Sequence, residues 1–175
     1  YGTVVLEYKG RTERVNSDAE QDLTNGLIKI ITGAKKKIYF VQGHGEKDTA
    51  DSGRGGYSSI SEALGRDNFE VEKLVLAQQQ EVPADASIVA IVGPKADLFQ
   101  PEGAMIERYL AKGGHVLALL DPPESDTGPM PVMEGLLKAW SVDVGNNVVV
   151  DVSGMGQLLG TDASVPVAAS YPQHA

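Results

Sequence analysis

Three runs of this chain are apolar from end to end and then stop on polar residues. Ile38-Tyr39-Phe40-Val41 ends at Gln42, and Ile88-Val89-Ala90-Ile91-Val92 ends at Gly93-Pro94-Lys95. Residues 116–120 form the third run and end at Asp121-Pro122-Pro123. A strand with no polar alternation has no face for water, so both faces must be covered, which is the condition of a parallel sheet. Residues 69–76 read differently. There Phe69 and Val71 alternate with Glu70 and Glu72, as in a half-exposed strand near a sheet's edge.

Helical spacing separates these runs. Ile60 and Leu64 share one face of a helix starting at Ser59 and reaching about Gly65. Met105, Ile106, Tyr109 and Leu110 turn inward on a helix opened by Pro101 and Glu102 and closed by Gly113-Gly114. A further helix over residues 132–140 buries Val132, Met133, Leu136, Leu137 and Trp140. Val148-Val149-Val150 predicts a last strand ending at Asp151, and residues 153–175 read as loop. The crossover at residues 77–85 is a short helix or loop. This alternation defines an α/β domain with an open, mostly parallel sheet. A flavodoxin-like order 2-1-3-4-5 fits, because it puts the half-polar second strand at the edge.

Upstream, residues 3–8 and 12–15 flank Lys9-Gly10-Arg11 as a β-hairpin that lies outside this core or extends it. Ser17 with Glu20 suggests a capping box. Leu23, Leu27, Ile30 and Ile31 then keep helical spacing to Thr32, with Gly33 closing the helix.

The 175 residues suffice for one α/β domain, 1–175, with a real core. With 15 Lys and Arg against 24 Asp and Glu, the formal net charge is −9. This balance argues against nucleic acid as a partner, since phosphate binding needs a concentrated basic surface. Lys35-Lys36-Lys37, the only basic cluster, reads as a solvated strand entrance. Cysteine is absent, which excludes disulfides, thiolate catalysis and cysteine-ligated metal centres. No window reaches the roughly 18 apolar residues of a membrane span. The first residue is Tyr1 rather than Met, as expected of a fragment excised from a longer protein that carries its anchor elsewhere.

In open α/β sheets ligands sit beyond the carboxyl ends of the strands. Four polar exits converge there in the expected order: residues 42–46, Pro94-Lys95, Asp121 and Asp151. The candidate ligand-binding residues are Gly43, His44, Gly45, Glu46, Lys95 and Asp121. His44 and Glu46, one residue apart on a loop, have three readings. They could act as a base with its partner, or as two metal ligands with a third from Asp48, Asp51, Asp121 or His174. They could equally hydrogen-bond loop backbone and hold the strand exit. No metal-motif spacing is present, so neither metal nor other cofactor is assigned. Gly53, Gly55 and Gly56 precede a helix but lack a Gly-Lys-Ser/Thr ending, so they read as a flexible loop rather than a phosphate cradle.

Covalent catalysis lacks a nucleophile. Neither serine nor cysteine stands on the central exit at Gly93-Pro94-Lys95, and Ser153-Gly154-Met155-Gly156 is only half of a nucleophile elbow. Ser58 and Ser59 read as helix caps and Asp121-Pro122-Pro123 as a strand terminator. Catalytic residues are therefore not assigned. A hydrolase working through the Gly43-His44-Gly45-Glu46 loop is the alternative to a binding role.

The run Tyr39-Phe40-Val41-Gln42-Gly43-His44-Gly45-Glu46, followed by Gly56-Tyr57-Ser58, resembles the auxiliary component of uncharacterised bacterial ABC transport systems. That family includes the gliding-motility-associated ABC transporter substrate-binding protein. The resemblance continues through Ala84-Asp85, Ile91-Val92-Gly93-Pro94, Gly113-Gly114, Leu119-Leu120-Asp121-Pro122 and Trp140. It closes on Tyr171-Pro172-Gln173-His174, and upstream it includes residues 20–27. It implies an extracytoplasmic domain, periplasmic or at the cell surface, of a longer protein anchored to the cytoplasmic membrane. It further implies permease and ATPase subunits as partners, and a small-molecule, carbohydrate or peptide ligand. The implied fold is akin to class I glutamine-amidotransferase-like domains and to a domain of intraflagellar-transport proteins. His44 and Glu46 carry over as candidate site residues. The amidotransferase nucleophile does not, because there is no cysteine.

Overall fold

The computed structural model describes residues 2–33, 35–122, 128–145, 147–150, 152, 155–158, 160 and 170. A hairpin of β1 (Val4–Tyr8) and β2 (Arg11–Val15) comes first, then α1 (Glu20–Thr32). The α/β core follows as β3 (Lys36–Val41), α2 (Ser58–Arg66), β4 (Phe69–Leu74), β5 (Ala86–Val92), α3 (Gln100–Ala111), β6 (Val116–Leu119) and α4 (Pro131–Ala139). A single 3-10 turn, Leu76–Gln78, carries the crossover from β4 to β5, and a short α5 (Met155–Leu158) comes last.

The four core strands are all parallel and lie in the order β4-β3-β5-β6. The flavodoxin-like expectation holds for these four, including the half-polar strand at an edge. Alternation along the strands divides the interior in two. Val41, Val89 and Ile91 face α3 and α4 and pack with Leu76, Met105, Ile106, Met133 and Leu136. Ile38, Phe40, Ala90 and Val92 face the other way, towards Tyr57 and Leu64 of the α2 side. The antiparallel hairpin forms a separate sheet and packs against α1. At Gly26 any side chain would run into Val15 and Leu6, so helix and hairpin approach as closely as backbone allows.

Several expectations need correction. Among the described residues, Val148, Val149 and Val150 belong to no strand, and all three are exposed. Asp151, their expected terminator, lies outside the described residues. Trp140 caps the end of α4 with 61% of its surface exposed, because α4 stops at Ala139 and its buried face is completed by Met133 and Leu136. Leu27 and Ile31 are exposed on α1 and Ile60 on α2: a two-stranded hairpin and one flank of a small sheet are too narrow to cover a second apolar stripe. Ser17 does not complete a capping box. Its Oγ accepts from the Ala19 N–H at 3.2 Å, and Ala19 is the residue at the cap.

Lys37 at the start of β3 is held by Asp85 at 2.9 Å and by Glu70 at 3.7 Å, so part of the lysine cluster is paired surface rather than an anion site. Asp85 also accepts from the Tyr39 hydroxyl at 3.0 Å. The Lys37 ammonium beside Asp85 holds that carboxyl below its ordinary value, and hydrogen bonding to Asp85 raises Lys37. Among the described residues no helix is long and apolar enough to cross a membrane.

Candidate functional site

The chain leaves β3 at Val41 and turns sharply through Gln42-Gly43-His44-Gly45-Glu46. Gln42 continues the ladder briefly, its N–H donating to the Leu74 carbonyl at 2.9 Å. Gly45 adopts φ 81°, and a Cβ there would sit 2.9 Å from the Cβ of Lys95. A side chain is thus excluded twice, by backbone conformation and by the neighbouring strand exit. The turn returns to the sheet where the Lys47 N–H donates to the Val92 carbonyl at 2.9 Å.

This turn carries His44 inward. Its ring is 5% exposed and lies between two carboxylates, with Nδ1 3.0 Å from Glu46 Oε1 and Nε2 2.9 Å from Glu102 Oε2. The Glu46 side chain is equally buried, and its other oxygen accepts from the His44 backbone N–H at 2.7 Å. Glu102, in the first turn of α3, also accepts from the Phe99 N–H at 2.8 Å, which satisfies an amide the helix start leaves over. The Phe99 ring meets the imidazole edge-on, with centroids 5.8 Å apart.

Each ring nitrogen faces a carboxylate oxygen, so two protons must be shared among the three groups for both contacts to be hydrogen bonds. Neither nitrogen is open to a substrate in this arrangement. The constellation ties the β3 exit to the beginning of α3 through charge-assisted hydrogen bonds.

The same loop is joined to the neighbouring exit through backbone. The His44 carbonyl accepts from the Lys95 and Ala96 N–H groups at 2.8 and 3.0 Å. Asp121, at the exit of β6, stands beside Gly93 and lies 3.5 Å from the Lys47 ammonium. Gly43, with φ 128°, has open space beside its Cα. The exits of β3, β5 and β6 are therefore adjacent, as the strand order requires.

His44 does not line the cavity found at these exits. That cavity, of about 390 Å³, lies over the ends of β5 and β6, with Pro94, Leu120, Asp121, Met130, Met133 and Val144 among its walls. Of the six candidates, only Asp121 lines it. Asp97 builds its rim indirectly: the carboxylate accepts from the Val132 and Met133 N–H groups at 2.8 and 3.0 Å and so caps α4.

Sequence reading missed two features here. Glu102 was legible only as a helix opener, although an acid three residues into a helix is the standard partner for a preceding amide. Met130, Met133 and Val144 carried no signal beyond apolarity, since a cavity wall and a core position use the same residue types. Of the proposed third metal ligands, Asp48 pairs with Lys73 at 2.6 Å and Asp121 faces Lys47, while His174 lies outside the described residues. Among the described residues no three His, Asp or Glu side chains are arranged to hold a metal ion.

Fold and site together define a parallel α/β domain in which a buried carboxylate–imidazole–carboxylate chain ties the β3 exit to the start of α3 and an apolar-walled cavity lies at the exits of β5 and β6. The chain matches the family described as an ABC-type uncharacterized transport system over residues 35–172, and it belongs to that family. The membership makes it an auxiliary component of an ABC transport system. The match takes in the whole parallel sheet and leaves the hairpin and α1 outside. No curated protein and no solved structure matches the chain.

Proposed function

We propose that this chain is an extracytoplasmic, non-catalytic module of its ABC transport system, binding a small-molecule, carbohydrate or peptide ligand at the strand exits. The observation that carries the reading is the cavity over β5 and β6, inside the stretch that matches the family. Its walls are mostly apolar with a few polar groups, as ligand sites usually are, and Asp121 at its lip supplies a fixed acceptor. Lys95 and the residues 43–46 stand behind that site, where the His44 carbonyl joins the β3 and β5 exits. The permease and ATPase subunits of the system are the partners in this reading, and the longer protein is anchored in the cytoplasmic membrane. The narrower attribution to gliding-motility-associated systems belongs to the same proposal.

Two measurements test it. These 175 residues carry no cysteine, so Glu62→Cys on the exposed side of α2, in the longer protein with any cysteine elsewhere replaced, should react with a membrane-impermeant maleimide in intact cells. Labelling only after lysis would overturn the location. For binding, a panel of saccharides and short peptides should raise the melting temperature of the domain, and Val144→Trp, which fills the cavity mouth, should abolish the shift. No shift with any probe, or one that survives Val144→Trp, would remove the cavity from the account.

A further inference from the structure

The valine run that the sequence reads as a strand, and that belongs to no strand among the described residues, has a place waiting for it. We propose that Val148-Val149-Val150 docks parallel to β6 on its open edge, as a fifth strand in a second arrangement of the domain.

Handedness supplies the first reason. In β3-α2-β4 the chain moves one way across the sheet with α2 on the Ala90 face, and in β5-α3-β6 it moves the other way with α3 on the Ile91 face. These crossovers share one hand. Helix α4 follows β6 on the same face as α3, where Met133 and Leu136 join Met105 and Ile106. A crossover of that same hand places the next parallel strand outside β6, and about 98% of such connections are right-handed.

The edge is also chemically prepared. The His115 carbonyl accepts from the Val89 N–H at 2.9 Å and the Leu119 carbonyl from the Gly93 N–H at 2.8 Å. Peptide groups alternate in direction along a strand, so those of Val116 and Ala118 point to the open edge, where no described strand receives them. Leu117 and Leu119 are opposite Ala90 and Val92 in register, yet remain 46% and 43% exposed while those two partners are buried. A neighbouring strand of three valines brings apolar side chains to both faces, one face beside Leu117 and Leu119. Residues 141–147 can reach up to about 23 Å when extended, more than the roughly 10 Å between packed layers. Val144 and Gly145 lie on that connection and wall the cavity, so docking also repositions one side of it.

Amide hydrogen exchange on the full chain decides the matter. Val116 and Ala118 should exchange as slowly as Leu119, at a rate independent of protein concentration. Val149→Pro, which removes a ladder donor at an exposed site, should release Val116 and Ala118 alone and leave Val89 and Ile91 protected. Val149→Ile should keep the protection. Free exchange at Val116 and Ala118 in the native chain would overturn the proposal, as would protection indifferent to Val149→Pro. Protection that grows with concentration would overturn it too, because the edge would then be covered by a second copy.

Discussion

Two regions of this domain, one at an inner strand and one at an edge, invert the ordinary rule of burial. At the β3–α3 side, three ionisable groups are in the interior: His44, Glu46 and Glu102. At the β6 side, Leu117, Leu119, Trp140 and the valines 148–150 are exposed. The difference teaches that residue type sets a cost without setting a location. The polar cluster can be buried because every buried side-chain polar atom among the described residues has a partner. The apolar residues are outside in this arrangement because no described strand pairs with the outer edge of β6.

The comparison breaks most sharply at His44. Replacing it by Ala strands two buried carboxylates, and loss of one member of a buried pair typically costs about 3–5 kcal/mol. Urea unfolding should show that loss in His44→Ala, together with a smaller one in Glu102→Gln, which keeps an acceptor for the Phe99 amide. A near-wild-type His44→Ala would mean the chain is not a structural tie and would reopen a ligand role for the ring.

Next come two apolar residues that sequence treats alike. Met133→Ala should cost about 2–5 kcal/mol, because its side chain is enclosed at 1% exposure. Trp140→Ala, one residue beyond the end of the same helix, should change the unfolding free energy by less than about 0.5 kcal/mol. Equal costs would show that Trp140 is covered in solution.

The smallest effect is electrostatic. Asp85 has a folded pKa below its ordinary value because of Lys37 and Tyr39, so it adds stability above about pH 4 and loses it as the pH falls through the lowered folded value. Thermal unfolding of Asp85→Asn should therefore differ slightly from the native chain near neutrality and converge with it in acid. A difference that persists unchanged at low pH would mean the pair acts by packing.

The architecture of the sheet was legible because parallel strands announce themselves. Each of Ile38-Tyr39-Phe40-Val41, Ile88-Val89-Ala90-Ile91-Val92 and residues 116–120 can be read without knowing its neighbours. The polar exits were legible for the same reason, as abrupt ends. What those exits do was not. His44 and Glu46 looked like groups offered to a ligand, and only Glu102, 56 residues beyond Glu46 in the chain, turns them inward. Pattern also promised Val148-Val149-Val150 a place beside β6, but an edge pairing depends on long-range geometry that local composition does not encode.

The sequence alone determined the alternation of elements, the parallel sheet with its half-polar edge, and the absence of cysteine chemistry, since these follow from side-chain type and period. Tertiary structure decided which charges are interior, which apolar residues stay outside, and which strand exits wall a cavity. The physical reason is that burial is a property of pairs. A carboxylate tolerates the interior only when a partner arrives from elsewhere in the chain, and a valine leaves water only when another surface comes to cover it.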